Sequence, residues 1–270
     1  MFEEFGRRLH YVSMCPVKIF AVADMDGYWY PYKLQHHGTS RPGTREECLE
    51  YLIDSDINNP DVGNEEVLDR AHELNATYVV PKDYLWDREA TTESAWEFMD
   101  LYEEHECTAR PLMPLQPTTS TRGGAEEPRP DHAEHIESLP DVGGYLVGGI
   151  KDAPGHKHVE ALRRVREVKP HAYLHGLGMG ASPAFVAAVR EEPGLADSVD
   201  LQTPEKCATN GQTFGESLKQ VDVLSPRGEW SSTHRATDSL SMLLKLNYLM
   251  GPLVNEDKAE MLANRMLTSF

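Results

Sequence analysis

The sequence predicts an α/β fold, namely a (β/α)8 TIM barrel in a single domain. Two observations lead to this prediction. Eight short apolar segments alternate with helical patterns along the chain, an order that gives a parallel sheet covered by helices. The length of 270 residues also suits one barrel. We expect the barrel at residues 1–221 and a C-terminal helical extension packed on it at residues 222–270. An open doubly wound sheet is the alternative.

Each predicted strand is a short apolar run that ends in polar residues or glycine, as buried parallel strands do. The second one is recognised instead by its aromatic residues, which favour extended backbone. The eight segments are 17–24, 27–34, 48–56, 76–83, 110–116, 144–150, 171–178 and 197–202.

Apolar residues at helical spacing predict the helices between and after these strands. The segment 91–105 opens with threonines that can cap it, and 182–192 opens with Ser182 as cap and Pro183 at the first helical position. The predicted helices are 64–75, 91–105, 157–168, 182–192, 237–251 and one after Asn255.

The segment 117–135 interrupts the alternation because it is rich in Thr, Gly, Pro and charged residues. Such a composition predicts a long mobile loop. It follows a strand directly, and so lies on the face where barrel enzymes build their active sites. The segment is either a disordered insertion or a loop that binds substrate.

Charge and cysteine content limit the class of protein. The chain carries 44 acidic and 26 basic residues, a net charge of −18, which indicates adaptation to high salt or an ordinary acidic protein that avoids nucleic acid. Four scattered cysteines without a CxxC pair indicate reduced thiols. No apolar run has the length of a membrane span, and the N-terminus lacks a signal peptide. We therefore expect a cytoplasmic protein without membrane contact.

Polar residues and glycines end five of the predicted strands, and in a barrel such strand ends meet at one mouth. Two carboxylates that flank a sugar carbon can break and re-form a glycosidic bond with retention. A further carboxylate and an amide can read the polar edge of a purine, and a Gly pair exposes backbone groups. The residues in question are Asp54, Asp83, Gln116, Gly148, Gly149 and Asp200.

Three segments that contain or adjoin these residues resemble the queuine/archaeosine tRNA-guanine transglycosylases. The run D-x-x-x-P-x-x-x-x-x-N-G-Q-x-F spans Asp200–Phe214, and GYLVGGI and HAYLHGLG precede it. VVPKDYLWD is similar to a fourth segment of the family, in the family's order. The similarity covers Tyr78–Phe214 well and the first 75 residues poorly.

The resemblance implies a role for each strand-end residue. Asp200 would be the nucleophile that forms a glycosyl ester, and Asp54 the general acid/base, with Asp24 as its competitor. The other implied positions recognise the base: Asp83, Gln116, Gly148, Gly149 and Ile150. No cofactor is implied.

The sequence departs from the family in two ways that favour a different polymer. The cysteine–histidine pattern of the structural zinc site is absent, so we expect C-terminal helices, no zinc subdomain and no bound metal. Lys206 and Thr209 stand where bacterial members have two Arg. We also expect no appended RNA-binding domain. These features resemble the phage- and virus-type branch that inserts 7-deazaguanines into DNA, and the acidic composition suggests a haloarchaeal host or its virus.

The expected partners are thus a polynucleotide, DNA in preference to tRNA, and a free 7-deazaguanine base. We expect Asn210 and Gly211 to form a tight hairpin that holds Lys206 beside a phosphate. Further basic candidates at the mouth are Lys151, Arg122 and Arg129. Three alternatives stay open: an enzyme acting on tRNA, a non-catalytic barrel that binds nucleobase or nucleic acid, and a nucleoside hydrolase. A homodimer, or partner subunits that complete the groove, also stays open.

Overall fold

A parallel β-sheet organises the protein. The computed structural model describes residues 12, 15–23, 27–122, 125–214, 218, 220–222 and 232–251. In chain order the strands are β1 (Lys18–Val22), β2 (Tyr32–His36), β3 (Glu50–Asp54), β4 (Tyr78–Val79), β5 (Arg110–Pro111), β6 (Met113–Leu115), β7 (Thr119–Arg122), β8 (Ala125–Pro128), β9 (Gly144–Val147), β10 (Tyr173–Gly176), β11 (Ser198–Leu201), β12 (Gln212–Phe214) and β13 (Gln220–Asp222).

Nine of these strands form the main sheet, and every neighbouring pair in it is parallel. Their order is β5-β4-β3-β2-β1-β11-β10-β9-β6. The two edge strands, β5 and β6, are separated in the chain by Leu112 alone. One short stretch therefore pairs with β4 on one side and with β9 on the other, so the sheet is nearly closed into a barrel. The expected α/β class is thus confirmed, with a barrel-like parallel sheet.

Helices flank the sheet. In chain order they are α1 (Pro42–Glu46), α2 (Asn64–Glu73), α3 (Arg88–Glu104), α4 (Gly155–Val168), α5 (Pro183–Glu191), α6 (Thr203–Thr209) and α7 (Ser232–Met250), with 3-10 helices at His37–Thr39 and His132–Ser138. The cap of α5 is as predicted, because Ser182 Oγ accepts a hydrogen bond of 3.2 Å from the Phe185 amide. The helix after Asn255 lies outside the described residues.

Two apolar clusters lie on opposite faces of the sheet. Alternation along each strand sends one set of side chains inward and the other toward the helices. The larger cluster packs between sheet and helices and includes Ile19, Tyr51 and Leu162. The smaller one fills the interior of the sheet, and its buried members are Phe20, Val22, Leu34, Leu52, Tyr78, Val80, Leu112 and Leu146. The interior is therefore packed below the strand ends rather than open from end to end.

The structure corrects two of the local predictions. The segment 117–135 is not an irregular loop throughout: β7 and β8 pair antiparallel, and a 3-10 helix follows at His132–Ser138. Alternating Thr and Ser residues before a Gly-Gly pair are a hairpin pattern, which the overall composition of the segment concealed. Helix α3 begins earlier than expected, because Asp87 caps it by accepting from the Ala90 amide at 3.0 Å.

The last described helix, α7, contacts the barrel. Asn247 Nδ2 donates a hydrogen bond of 2.8 Å to the hydroxyl of Tyr30. Lys245 Nζ donates one of 2.8 Å to the carbonyl of Phe214. These bonds hold α7 to the segment before β2 and to the strand β12.

Candidate functional site

The sequence-predicted strand-end residues lie at the carboxyl ends of the parallel strands. Asp54 is the last residue of β3, Gln116 follows β6 directly, and Gly148 and Gly149 follow β9. Asp200 lies within β11, one residue before its end. Asp83 lies in the loop that follows β4, because β4 ends already at Val79. Since all of these strands run in one direction, their carboxyl ends share one mouth of the barrel.

Asp83 and Gln116 form a buried polar pair in that mouth. Gln116 Nε2 donates a hydrogen bond of 2.7 Å to Asp83 Oδ2, and Ser55 Oγ donates a longer one of 3.4 Å to Asp83 Oδ1. Burial first, and then the charge of Asp54, raise the pKa of Asp83 to about 7. A carboxylate with such a raised pKa in a cleft marks a candidate ligand-binding site.

Trp86 lies beside the Asp83–Gln116 pair, and it was not predicted from the sequence as a site residue. Its backbone N–H donates to Gln116 Oε1 at 3.2 Å, and its indole N–H donates to the carbonyl of Gly149 at 2.9 Å. The residue has a φ of +61°, which is uncommon for a large side chain, and it is 38% exposed. Trp86 thus bridges the loop after β4 to the end of β9 at the surface of the mouth.

The backbone conformation and close packing at position 149 require glycine. Its φ is +72°, and a Cβ atom placed on it would lie 2.6 Å from Cδ of Pro117 and 2.8 Å from Oε1 of Gln116. Only glycine meets both conditions without displacing the Gln116 amide. The backbone of Gly149 therefore lies directly against the Asp83–Gln116 pair.

Three buried histidines hold the backbone around the predicted base-binding residues. Gln116 N–H donates to His135 Nδ1 at 3.0 Å, and the carbonyls of Gly148 and Ile150 each lie 2.7 Å from Nε2 of His132 and His158. Burial lowers the pKa of all three, to about 4 for His132 and His135, so the rings are neutral at pH 7. With Trp86 on Gly149, the carbonyls of Gly148, Gly149 and Ile150 all accept bonds from within the protein.

Asp54 is paired with His36, which sequence reasoning missed. His36 Nδ1 lies 3.1 Å from Asp54 Oδ2, and the two residues are register partners on β2 and β3. The contact with Asp54, together with the charges of Asp54, Asp56 and Asp200, raises the pKa of His36 to about 9 against the effect of burial. At neutral pH the mouth therefore holds an imidazolium between carboxylates. Asp24, the competitor for the role of Asp54, lies outside the described residues.

Asp200 lies in the interior of the barrel mouth and is buried. It is the register partner of Phe20, an interior residue of β1. Its Oδ1 accepts a hydrogen bond of 2.7 Å from the backbone N–H of Gly178 and lies 3.1 Å from Nε2 of His175. Asp200 and Asp54 therefore both face the mouth, on strands that lie one on each side of the β1–β2 pair.

The basic candidates differ in their relation to this centre. Lys151 is exposed, and its side-chain stem lies against Gly178, where an added Cβ would be 3.2 Å from Lys151 Cγ. Arg129 is exposed after β8, and the side chain of Arg122 lies outside the described part. Lys151 is thus the basic candidate that lies beside Gly178, the residue whose backbone N–H donates to Asp200.

Lys206 and Asn210 are both exposed, but not on a hairpin. Residues 203–209 form helix α6, with Pro204 in its first turn, and Gly211 follows its C-terminus with a φ of +68°. The Asn-Gly pair therefore ends a helix, for which a left-handed glycine is the common device. The expectation of a tight hairpin at this point is wrong, because the Asn-Gly pair, which also marks hairpin turns, here ends a helix.

Neither a metal centre nor a membrane span is found in the part of the chain that the structure describes. No group of three or more His, Cys, Asp or Glu side chains among those residues is arranged to hold a metal ion. None of the described helices has both the length and the apolar character needed to cross a bilayer.

Comparisons with known proteins add no family. The chain matches no protein-family model, and a search of curated proteins gives no significant match.

Proposed function

We propose that this protein is a transglycosylase that exchanges guanine in a polynucleotide, DNA in preference to tRNA, for a free 7-deazaguanine base. The observation that carries the proposal is the meeting of Asp54, the Asp83–Gln116 pair and Asp200 at one end of a parallel barrel. Two carboxylates for glycosidic chemistry and a carboxylate–amide pair for a purine edge are the groups that base exchange needs.

The same proposal treats the sheet as a (β/α)8 barrel of the transglycosylase type. In this reading β5 and β6 are two halves of one strand, so that eight strands surround the interior. The motif resemblance from Tyr78 to Phe214 supports it, because these motifs include the loop after β4 and the ends of β9, β10 and β11.

Asp83 and Gln116 are the proposed recognition groups for the base. Ionised Asp83 accepts hydrogen bonds from the N1–H and 2-amino groups of guanine, and the Gln116 amide donates to its carbonyl. A 7-deazaguanine presents the same edge, so one pocket serves both the leaving and the incoming base. The indole N–H of Trp86 donates to the Gly149 carbonyl, which holds its aromatic ring at the entrance to this pocket.

The proposed reaction is a double displacement at C1′ of the sugar. Asp200 bonds to C1′ while the C1′–N9 bond breaks, and guanine leaves with the electron pair and takes up a proton. The incoming base then gives up its N9 proton and attacks C1′, and the ester C–O bond breaks with its electron pair returning to Asp200. Two inversions give net retention at C1′.

The His36–Asp54 pair supplies and recovers the proton in this scheme. His36 carries a proton at neutral pH because its pKa is raised to about 9. The pair can therefore pass one proton to the leaving guanine and take one back from the incoming base, so that the exchange is balanced.

The preference for DNA rests on the resemblance and on the basic residues near the site. Where tRNA enzymes of the family have two Arg, this chain has Lys206 and Thr209. With a net charge of −18, phosphate contacts must come from a few local residues, one of which is Lys151 beside Gly178. The target nucleotide must be unstacked, since Asp200 in the barrel interior cannot reach C1′ of a stacked pair.

The test offers labelled 7-deazaguanine with matched single-stranded DNA and tRNA at molar salt. We expect label in DNA with the wild type, none with Asp200→Asn, and incorporation about 10² to 10⁴ times slower with Asp54→Asn. Asp61→Asn, which changes an exposed Asp in the loop between β3 and α2, serves as the control. If Asp54→Asn stays fully active and Asp24→Asn does not, the acid/base role belongs to Asp24.

The other outcomes separate the alternatives. Label in tRNA alone overturns the choice of DNA and leaves the chemistry standing. Release of guanine that depends on water and needs no added base indicates a nucleoside hydrolase. Binding of the base without exchange or release indicates a non-catalytic barrel.

A further inference from the structure

His175 is a fully buried histidine in the interior of the barrel, and both of its ring nitrogens are engaged. Nδ1 lies 2.7 Å from Ser198 Oγ, and Nε2 lies 3.1 Å from Asp200 Oδ1. The ring edge packs on Phe20, with centroids 5.7 Å apart. Register pairs His175 with Ser198 across β10 and β11, so the three side chains Ser198, His175 and Asp200 form one chain of contacts inside the barrel.

The chemistry of these groups fixes which nitrogen carries the proton. A carboxylate oxygen only accepts hydrogen bonds, so Nε2 must be the N–H that donates to Asp200. In the neutral ring Nδ1 is then an acceptor, and the Ser198 hydroxyl donates to it. Asp200 therefore sets the tautomer of His175, and the Ser198 hydroxyl supports it as the donor to Nδ1.

The two oxygens of Asp200 are not equivalent. Oδ1 is the acceptor for both the His175 ring and the Gly178 backbone N–H. Among the described residues, no hydrogen bond to Oδ2 is found. The free oxygen is the one that can approach a sugar carbon, whereas Oδ1 is held in place by two donors.

We infer that His175 is a positioning residue that directs attack by Asp200 Oδ2 and stabilises the carboxylate when the ester breaks; this rests on the proposed function. In the first displacement Oδ2 bonds to C1′, and Oδ1 becomes the ester carbonyl oxygen. In the second, the C1′–Oδ2 bond breaks and its electron pair returns to the carboxylate. Negative charge on Oδ1 grows in that step, so a fixed N–H donor speeds the second displacement more than the first.

The experiment separates the two displacements in the full-length protein. Guanine-labelled single-stranded DNA reports release of guanine in a single turnover, and a denaturing gel reports the covalent protein–DNA adduct. Added unlabelled guanine then reports breakdown of the adduct. With His175→Leu we expect guanine release to be unchanged or faster and adduct breakdown to be slower by about 10- to 100-fold, the factor for losing one hydrogen bond to a charged group. The adduct should accumulate as a result.

Two further variants guard against a purely structural effect. His175→Gln keeps an N–H donor and should restore breakdown substantially. Ser198→Ala leaves the imidazole in place and should slow breakdown to a smaller extent, and it supplies the test if His175→Leu fails to fold. Equal slowing of both displacements in all three variants, or an unchanged adduct fraction in His175→Leu and Ser198→Ala, overturns the inference.

A measurement without turnover distinguishes failure of this inference from failure of the proposed function. Nitrogen–proton correlation spectra of the wild type, assigned by the signal missing in His175→Gln, should show the Nε2–H tautomer for His175. An Nδ1–H tautomer overturns the inference whether or not the protein exchanges bases. Absence of exchange by the wild type with DNA and with tRNA overturns the proposed function itself, and with it the role assigned to His175.

Discussion

Gln116 Nε2 donates a 2.7 Å hydrogen bond to Oδ2 of Asp83, so the two residues assigned to the base are joined before any base enters. The other end of the same amide accepts from the Trp86 backbone. Both ends of the Gln116 side chain are thus fixed, and the orientation of its amide is set. In the proposed function, a bound purine would share Asp83 with Gln116, and the pocket would select an edge that donates to a carboxylate.

Replacing Asp83 by Asn should separate recognition from stability. Without the carboxylate, we expect the KM for the free base to rise by about 10- to 100-fold, since a charged hydrogen-bond partner is lost. The folded pKa of Asp83 is about 7 and its ordinary value is 3.8, so the stability from its protonated form is present below pH 3.8 and lost as pH rises through 7. Asp83→Asn should therefore be more stable than the wild type at pH 8.

Urea unfolding at pH 4 and pH 8 measures this second effect, with Asp61→Asn as the exposed control. The stability advantage of Asp83→Asn should shrink toward pH 4. An unchanged KM for the base would remove Asp83 from the pocket.

Replacing His36 by Gln should have the opposite dependence on pH. The folded pKa of His36 is raised from 6.5 to about 9, so its contribution to stability is fully present below pH 6.5 and is lost as pH rises through 9. The difference in unfolding midpoint between the wild type and His36→Gln should be largest near pH 6 and small at pH 10. His37→Gln, at the neighbouring position, is the matched control.

The Gly149→Ala substitution tests the close packing against Gln116. Alanine at a φ of +72° costs about 1 to 2 kcal/mol from backbone strain alone. The added methyl also meets Pro117 and Gln116 at under 3 Å, which should add about 1 to 3 kcal/mol and raise the KM for the base.

Gly194→Ala provides the control, because Gly194 has a φ of +99° with nothing within 4 Å of an added Cβ. Unfolding and base KM are measured for both variants. Equal losses of stability in the two variants would contradict the close packing of Gly149 against Pro117 and Gln116. Equal KM values would show that Gly149 does not contact the base.

The Lys151→Ala substitution tests the proposed polymer binding beside Gly178. One phosphate contact fewer should reduce the slope of log affinity against log salt by about 0.7 for a single strand. Lys169→Ala is the control, because Lys169 lies before β10 at the opposite end of the barrel and pairs with Asp141. DNA affinity at several salt concentrations decides the matter, and equal slopes for the two variants would exclude a phosphate contact at Lys151.

The site residues whose position depends on a single strand could be predicted from the sequence. Asp54 and Gln116 stand at the ends of apolar runs, and Asp200 stands within one, so a local pattern is enough to place all three near a barrel mouth. His175 lies in the middle of such a run and resembles any core residue, because its partner Ser198 is brought close only by the register of β10 and β11. His36 was missed for a similar reason, since its partner Asp54 belongs to another strand.

Short elements were the other source of error. Strand β4 has two residues and helix α6 has seven, which is too short for periodicity to establish. The hairpin of β7 and β8 is defined by pairing between its strands, and composition alone indicated only a polar loop.

The position of β1 between β2 and β11 has a consequence for how the protein acquires activity. Residues 18–21 pair with residues 198–201, so the ring closes only through contacts between distant parts of the chain, which form slowly. A chain still emerging from the ribosome lacks β11 and with it Asp200, the nucleophile of the proposed function. During refolding, the proposed base exchange should therefore recover later than the helical circular dichroism signal, at the rate at which β1 pairs with β11.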